Sequence, residues 1–399
     1  MKAYYLFLKD NVPYVGFGWL TTFFSSFGQT FLISLYVPDI LSTFNLTNGA
    51  FGTMYALCTV AASVIMLRYG PYVDFKPVRL VTYFTIFGLA ASTILLGLSF
   101  HPILLVIALT GLRLTGQGMM SHISLTIISR YYDKDRGKAL SLSSLGYSVG
   151  EAVFPVLITS LLLSFGWRWA AAASGVMLLL VLVPILFKLN LEELDQQEED
   201  LKKAPKGVSL AEYGALLRDK VFWILGPASM ALGFIVTSLF FFQLVIAKER
   251  GWPYETYSLF FVGYAFTKFC FSLIGGSWID TFSARRVFIY HLLPLLFSLI
   301  GLALIPGLIG AAFFLLMIGV ASGLSSPVKS ALIAEMYGVE RLGSVRSLFT
   351  MVMVISTALG PMLVGLFMDM GYSIHSIVLV LSAFTFIIIL NGWRLKKGT

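Results

Sequence analysis

Gly70-Pro71-Tyr72-Val73-Asp74-Phe75-Lys76-Pro77-Val78-Arg79 has a counterpart in Gly276-Ser277-Trp278-Ile279-Asp280-Thr281-Phe282-Ser283-Ala284-Arg285. The glycine, the aspartate four residues on and the arginine five further on all recur at a displacement of 206. A second loop repeats too. Tyr132 with Arg136 returns as Tyr337 with Arg341, displaced by 205. Two separate loops with nearly one offset describe a chain built from two copies of one unit.

Both copies of the first motif follow an apolar run, and such runs fill the chain. Of 399 residues, 58% are hydrophobic and 12% charged, and the mean hydropathy is +0.86. A soluble chain carries roughly twice that charged fraction. The composition argues against a soluble enzyme, a nucleic-acid binder or a disordered chain. A span needs about 20 apolar residues to cross the hydrocarbon core. Twelve runs qualify, near 14–37, 50–69, 78–99, 103–129, 139–164, 169–188, 222–246, 257–279, 286–306, 309–334, 345–367 and 374–392. Turn residues separate them, among them Pro38-Asp39, Gly166-Trp167, Gly251-Trp252-Pro253, Pro306-Gly307 and Gly371-Tyr372. The runs are too long for strands, which argues against a β-barrel. The first is long enough to span and lacks a small-residue cleavage site, so it reads as a span rather than a cleavable signal.

Charge sets the expected orientation. With the N-terminus inside, cytoplasmic segments hold 22 of the 28 basic residues and the opposite face holds Arg168, Lys248 and Arg250. That asymmetry predicts cytoplasmic termini and an even number of spans. It also accounts for the net charge of +8 without nucleic acid. The expected organisation is a six-helix bundle over 1–188, a cytoplasmic linker over 189–220 and a second six-helix bundle over 221–399. The linker carries an acidic cluster that includes Glu192, Glu193, Glu198 and Glu199, then a basic one. It reads as a solvated tether, with room for a short surface helix.

The Gly-x-x-x-Asp turn followed by a basic residue, in two copies, resembles the signature of the major facilitator superfamily. Twelve spans and a long central loop fit the same family. The resemblance covers the whole chain, although the family's later glycine is Pro77 in one copy and Ser283 in the other. It implies an all-α polytopic membrane protein of two pseudo-symmetric bundles working by alternating access. It also implies a gating role for Asp74, Arg79, Asp280 and Arg285, through contacts that latch the cytoplasmic side. The competing reading is that these residues only fix loop shape.

Charged groups inside spans cost at least ~2.5–3.5 kcal/mol each on the insertion scale, so they face a partner or a wet cavity. Arg113 lies 17 residues before Arg130, about 25 Å up a regular helix. Glu151 lies 13 residues after Lys138, about 20 Å up the next one. Gln117 is one turn from Arg113. These three form an expected cluster, read either as a proton-coupling site centred on Glu151 or as a fixed salt bridge. His122, nine residues from Arg113, turns to the opposite face. Lys268 lies 12 residues before Asp280, about 18 Å up. The interiors of runs seven to twelve contain no acidic residue, so a lysine there is expected to lose its proton or to face an anion. Lys329 lies near the end of its run, where snorkelling accounts for it. Ser26, Gln29, Thr30 and Ser34 form a polar face on the first run. Tyr55, Gln243 and Thr357 are weaker candidates.

The excess of positive charge at depth prefers an organic anion. The resemblance extends distantly to the monocarboxylate and oxalate–formate carriers, which use a cation on helix eight about one turn closer to the loop aspartate than Lys268. The stretch from Arg136 through Gly146, Gly150 and Pro155 is similar to many bacterial members. Gly137, Gly146 and Gly150 are spaced as in family antiporters, but Glu151 stands where their proline falls, so antiport does not follow. There is no Walker loop, no HExxH and no paired Cys or His ligand set. No enzyme activity, cofactor or metal is expected.

The expected function is secondary active transport of a small organic anion, a carboxylate by preference, coupled to protons. Its substrate-binding residues are Lys268, Arg113, Gln117, Gln29, Thr30, Ser26 and Tyr55. The expected setting is a monomer in a cell inner membrane. The rivals are a proton-antiporting exporter of amphipathic drugs or metabolites, and a transporter-like receptor or scaffold.

Overall fold

In hydrocarbon a chain has no water with which to satisfy its backbone, so each span must close its hydrogen bonds internally. The computed structural model describes residues 2–132, 135–194, 214, 216–337 and 342–397, and among them no strand occurs. Eleven helices are long and apolar enough to cross a bilayer. They are span 2 (Asn48–Asp74), span 3 (Val78–Gly97), span 4 (Pro102–Tyr131), span 5 (Arg136–Phe165), span 6 (Trp167–Lys188), span 7 (Phe222–Phe241), span 8 (Tyr254–Phe282), span 9 (Ala284–Leu304), span 10 (Gly307–Tyr337), span 11 (Leu348–Asp369) and span 12 (Ile374–Leu395). Span 1 is a pair, Phe7–Gly28 and Thr30–Phe44, bent by 45°. Counted as one, it brings the number to twelve.

The chain divides into two compact units, Met1–Phe44 with Leu57–Pro205, and Asn45–Ala56 with Lys206–Thr399. The start of span 2 thus belongs to the second unit. Within the first unit, span 1 packs on span 5 and span 3 on span 6; within the second, span 7 packs on span 11 and span 9 on span 12. The pairing is the same, shifted by six helices.

Small residues make these contacts close. A Cβ on Gly150 would come within 3.0 Å of the Phe23 carbonyl, and one on Gly175 within 2.7 Å of that of Ala90. In the second unit, a Cβ on Gly360 would come within 2.7 Å of the Phe234 carbonyl. Hydroxyls tie the same seams: Thr22 donates to the Ser143 carbonyl at 2.6 Å, and Ser356 to that of Met230 at 2.6 Å. The helix-five glycines Gly146 and Gly150 are therefore explained by packing on span 1. Phe154 joins them, its ring 4.5 Å from Phe23 and 4.7 Å from Phe27.

The structure departs from the sequence expectation at three places. Span 7 ends at Phe241, and a separate short helix covers Gln243–Glu249, where one run over 222–246 was expected. The linker begins packed rather than solvated: Leu191–Leu194 form a 3₁₀ turn with both leucines buried, and Tyr14 donates to the Glu193 carboxylate. The rest of the linker's acidic cluster, 195–213 and Arg341 lie outside the described residues. The third is the 45° bend that divides span 1, where one run over 14–37 was expected. Ser283 has a conformation that the sequence expectation did not address. It holds φ 77° and ψ 151°, a region that only glycine enters without strain, at the position where the resembled signature places glycine. Pro77, its counterpart, is relaxed at φ −50°. Ser283→Gly is expected to stabilise the protein by about 1 kcal/mol, read as a higher midpoint of thermal unfolding of the purified protein.

Candidate functional site

The irregular backbone of the first unit gathers at one level. Span 1 tightens to a 3₁₀ turn over Ser25–Gly28, passes through Gln29 in an extended conformation (φ −84°, ψ 148°) and resumes at Thr30. Opposite it, span 4 widens to a π-helix over Arg113–Met120. The two meet backbone to backbone. A Cβ on Gly28 would lie 2.7 Å from Gly116 Cα, and one on Gly116 2.6 Å from Gly28 Cα. Only two glycines allow that approach.

A break in a span frees backbone carbonyls, which the protein must then satisfy. Arg113 does so. It is 4% exposed, and its Nη1 donates to the Gly28 carbonyl at 3.2 Å and to Thr30 Oγ1 at 3.4 Å. Gln29, Thr30 and Gln117 are half-buried around this point and Ser26 is buried. Glu151 is half-buried and directly follows Gly150, whose Cβ position is occupied by the neighbourhood of Ser26. The break thus brings Ser26, Gln29, Thr30, Arg113 and Gln117 together, with Glu151 on the adjoining turn of span 5. Height estimates along a regular helix could not reveal this, because neither span is regular there.

Tyr55 belongs to the second unit, is fully buried and lies with its ring 4.5 Å from Phe241. Gln243 is buried too, and Thr357 donates to its own helix at 2.9 Å. His122 joins span 4 to the repeated motif: Nε2 lies 3.2 Å from the Gly70 carbonyl and Nδ1 3.3 Å from Thr126 Oγ1.

In the second unit Lys268 is half-buried on span 8, 5.6 Å from the centre of the Tyr264 ring. Gly323 of span 10 packs on its backbone, where a Cβ would lie 3.1 Å from the Lys268 carbonyl carbon. Lys329, expected to snorkel, has a cavity beside it. It lines a cavity of about 560 Å³ bounded by spans 7, 9, 10 and 11, with its ammonium 6.0 Å from the Phe349 ring centre. Lys268 is not among the residues lining that cavity.

The four gating candidates are held within their own units. Arg130 donates to the Asp74 carboxylate and to the Val73 carbonyl. The Arg79 guanidinium lies 5.9 Å from the Tyr83 ring and 5.7 Å from that of Phe187, within cation–π range. Arg285 Nε lies 3.8 Å from Glu335, and Asp280 is exposed. Arg130 and Glu335 differ by 205, the second repeat offset. The two units therefore each pair a loop residue with the end of the following even-numbered span, with the signs exchanged. Beside this pair, burial pushes the Tyr132 phenol up, which keeps it protonated.

One contact had no sequence signal. Asp369, at the end of span 11, accepts from the backbone amides of Asn48 at 3.0 Å and Gly49 at 2.8 Å. It caps the first turn of span 2, where the helix dipole favours an anion. Glycines bring the two helices together: a Cβ on Gly365 would lie 2.7 Å from the Asn48 carbonyl carbon.

The sequence pattern of the Major Facilitator Superfamily matches residues 18–253 and again 236–397. The chain belongs to that superfamily, whose members are transmembrane transporters rather than enzymes. It is 29% identical over 220 residues to an uncharacterized 38 kDa protein in a 23S RNA operon of Thermoproteus tenax, which covers 55% of this chain and 54% of that protein. It is 32% identical over 123 residues to mouse (Mus musculus) monocarboxylate transporter 6, covering 30% of this chain and 26% of that one. The chain thus spans about half or less of the length of these relatives. Its fold is similar to the crystal structure of the nucleoside transporter NupG, with TM-score 0.74, 14% identity and coverage of 98% and 99%.

Asp369→Ala is expected to lower the stability of the purified protein by about 1 kcal/mol. Thermal unfolding measures it. Thr47→Ala, which removes the hydroxyl that accepts from the Ala50 amide at 3.2 Å at the same helix end, is expected to cost about as much.

Proposed function

We propose that this chain is a secondary active transporter that moves a small organic anion by alternating access, with coupling to protons. Membrane-spanning charge carries the reading. Arg113 lies within span 4 of the first unit, and Lys268 and Lys329 lie within spans 8 and 10 of the second. A cationic side chain held inside a span attracts an anion and repels a cation. Arg113 adds a particular location. Irregular backbone at membrane depth is tolerated where it is buried in protein or lines a cavity, and carriers place substrate sites at discontinuous helices. The span 1 break with Arg113 has that form. The partial likeness to a monocarboxylate transporter agrees with a carboxylate as cargo.

Glu151 is the proposed proton-coupling group. It is half-buried on a span and adjoins the turn that packs on the break. Protonation there removes a negative charge from the arginine's own unit, so proton and anion bind with the same sense. Asp74, Arg79, Asp280 and Arg285 are the proposed gating set, each in the repeated loop of its own unit. The proposed location is a cell inner membrane, with the protein acting as a monomer.

Uptake of a labelled monocarboxylate into proteoliposomes tests this. An inward proton gradient is expected to raise the initial rate severalfold in the native protein. In Glu151→Gln the rate is expected to become independent of the gradient. Uptake that responds equally to the gradient in both forms rejects the role of Glu151, and no uptake of any carboxylate rejects the anion reading.

A further inference from the structure

The cavity around Lys329 is not accounted for by the break in span 1. Its volume, about 560 Å³, lies in the range of small-molecule sites. Its lining mixes two chemistries. Polar groups are Lys329, with Ser322 and Ser325 at seven and four residues before it on the same helix face, and Ser229 and Thr237 from span 7. Apolar groups include Leu232, Phe288, Met353 and Phe349, the last with its ring 6.0 Å from the Lys329 ammonium. Among the described lining residues there is no Asp or Glu. His291 closes one wall; it is buried, and its Nδ1 lies 2.5 Å from the Phe288 carbonyl.

We infer that this cavity is the anion subsite of the second unit, and that it takes an amphipathic monocarboxylate, the carboxylate on Lys329 and the Ser322 hydroxyl and an aryl or alkyl body against Phe288, Phe349 and Met353. The inference rests on the anion-carrier reading and names the substrate class within it. One ammonium matches one negative charge. The Ser322 hydroxyl supplies a further donor to the carboxylate, while that of Ser325 already donates to the Ala321 carbonyl at 2.8 Å. The apolar part of the lining disfavours a dicarboxylate or a sugar acid, whose second polar end would be buried without a partner. Pro327, two residues before Lys329, lies inside span 10. Proline removes a backbone donor and loosens the preceding turn, which eases the widening of the helix face at this point.

The test uses the full chain in detergent, with phenylacetate, hexanoate, succinate and mannitol as probes, and both thermal shift and equilibrium binding as readouts. Phenylacetate and hexanoate are expected to bind and to stabilise the native protein; succinate and mannitol are not. Lys329→Gln is expected to weaken phenylacetate binding by about tenfold or more, and Lys329→Arg to retain most of it. Lys248→Gln, at an exposed lysine outside the cavity, is expected to leave it within about twofold. Met353→Trp fills the apolar part of the lining with the lysine intact, and is expected to abolish binding even if Lys329→Gln does not fold. Equal phenylacetate affinity in the native, Lys329→Gln and Met353→Trp forms overturns the subsite and leaves the anion carrier standing. Loss in Lys268→Gln alone moves the site to span 8. Tighter binding of succinate than of phenylacetate overturns the substrate class. If no carboxylate binds and none is taken up by proteoliposomes, the carrier reading falls with it.

Discussion

Every peptide group inside a bilayer must find its hydrogen bond within the protein, and this single requirement arranges most of the molecule. It makes each apolar run a helix. It also makes any departure from helix informative, because a departure strands carbonyls and amides that something else must satisfy. In the first unit the departure is the turn and extended residue at Gly28 and Gln29, and what satisfies it is a buried guanidinium. The π-helix across from it is the other half of the arrangement, since it opens a backbone groove at Gly116 into which Gly28 fits. Charge, small residues and irregular backbone are thus one feature.

Packing within the spans depends on the absence of side chains. Between helices in lipid there is no hydrophobic driving force, so close backbone approach and interhelical hydroxyl bonds carry association. The glycines of span 5 on span 1, of span 6 on span 3 and of span 11 on span 7 do this work in both units. This explains why a glycine pattern that resembles one found in antiporters need carry no transport direction: Gly146 and Gly150 are already occupied with Trp19, Phe23 and Ser26.

The architecture was legible in the sequence because length and hydropathy are averages over twenty residues, and loss of a residue or two at an end does not change them. The repeat offset was legible because loops keep the residues that shape turns. The site was legible in part. Arg113, Gln117 and the polar face of the first run were found from composition alone, but the reason they converge was not, since it lies in two local distortions that no periodicity predicts. Tyr55 was grouped with them on polarity, and its ring is buried against Phe241. Lys329 was read from its distance along the helix alone, which does not show that spans 7, 9, 10 and 11 line a cavity there. Asp369 gave no signal, because a lone acid at the end of a span is what any turn would show.

The two repeated loops show what duplication preserves. In one, an aspartate of the turn meets an arginine at the end of span 4; in the other, an arginine of the turn meets a glutamate at the end of span 10. The letters at the corresponding helix ends are opposite, yet an attraction is present in each. The aspartate and the arginine of the turn are kept in both copies while the partner at the helix end changes sign, so each unit draws its attraction from a different member of the same pair of loop charges.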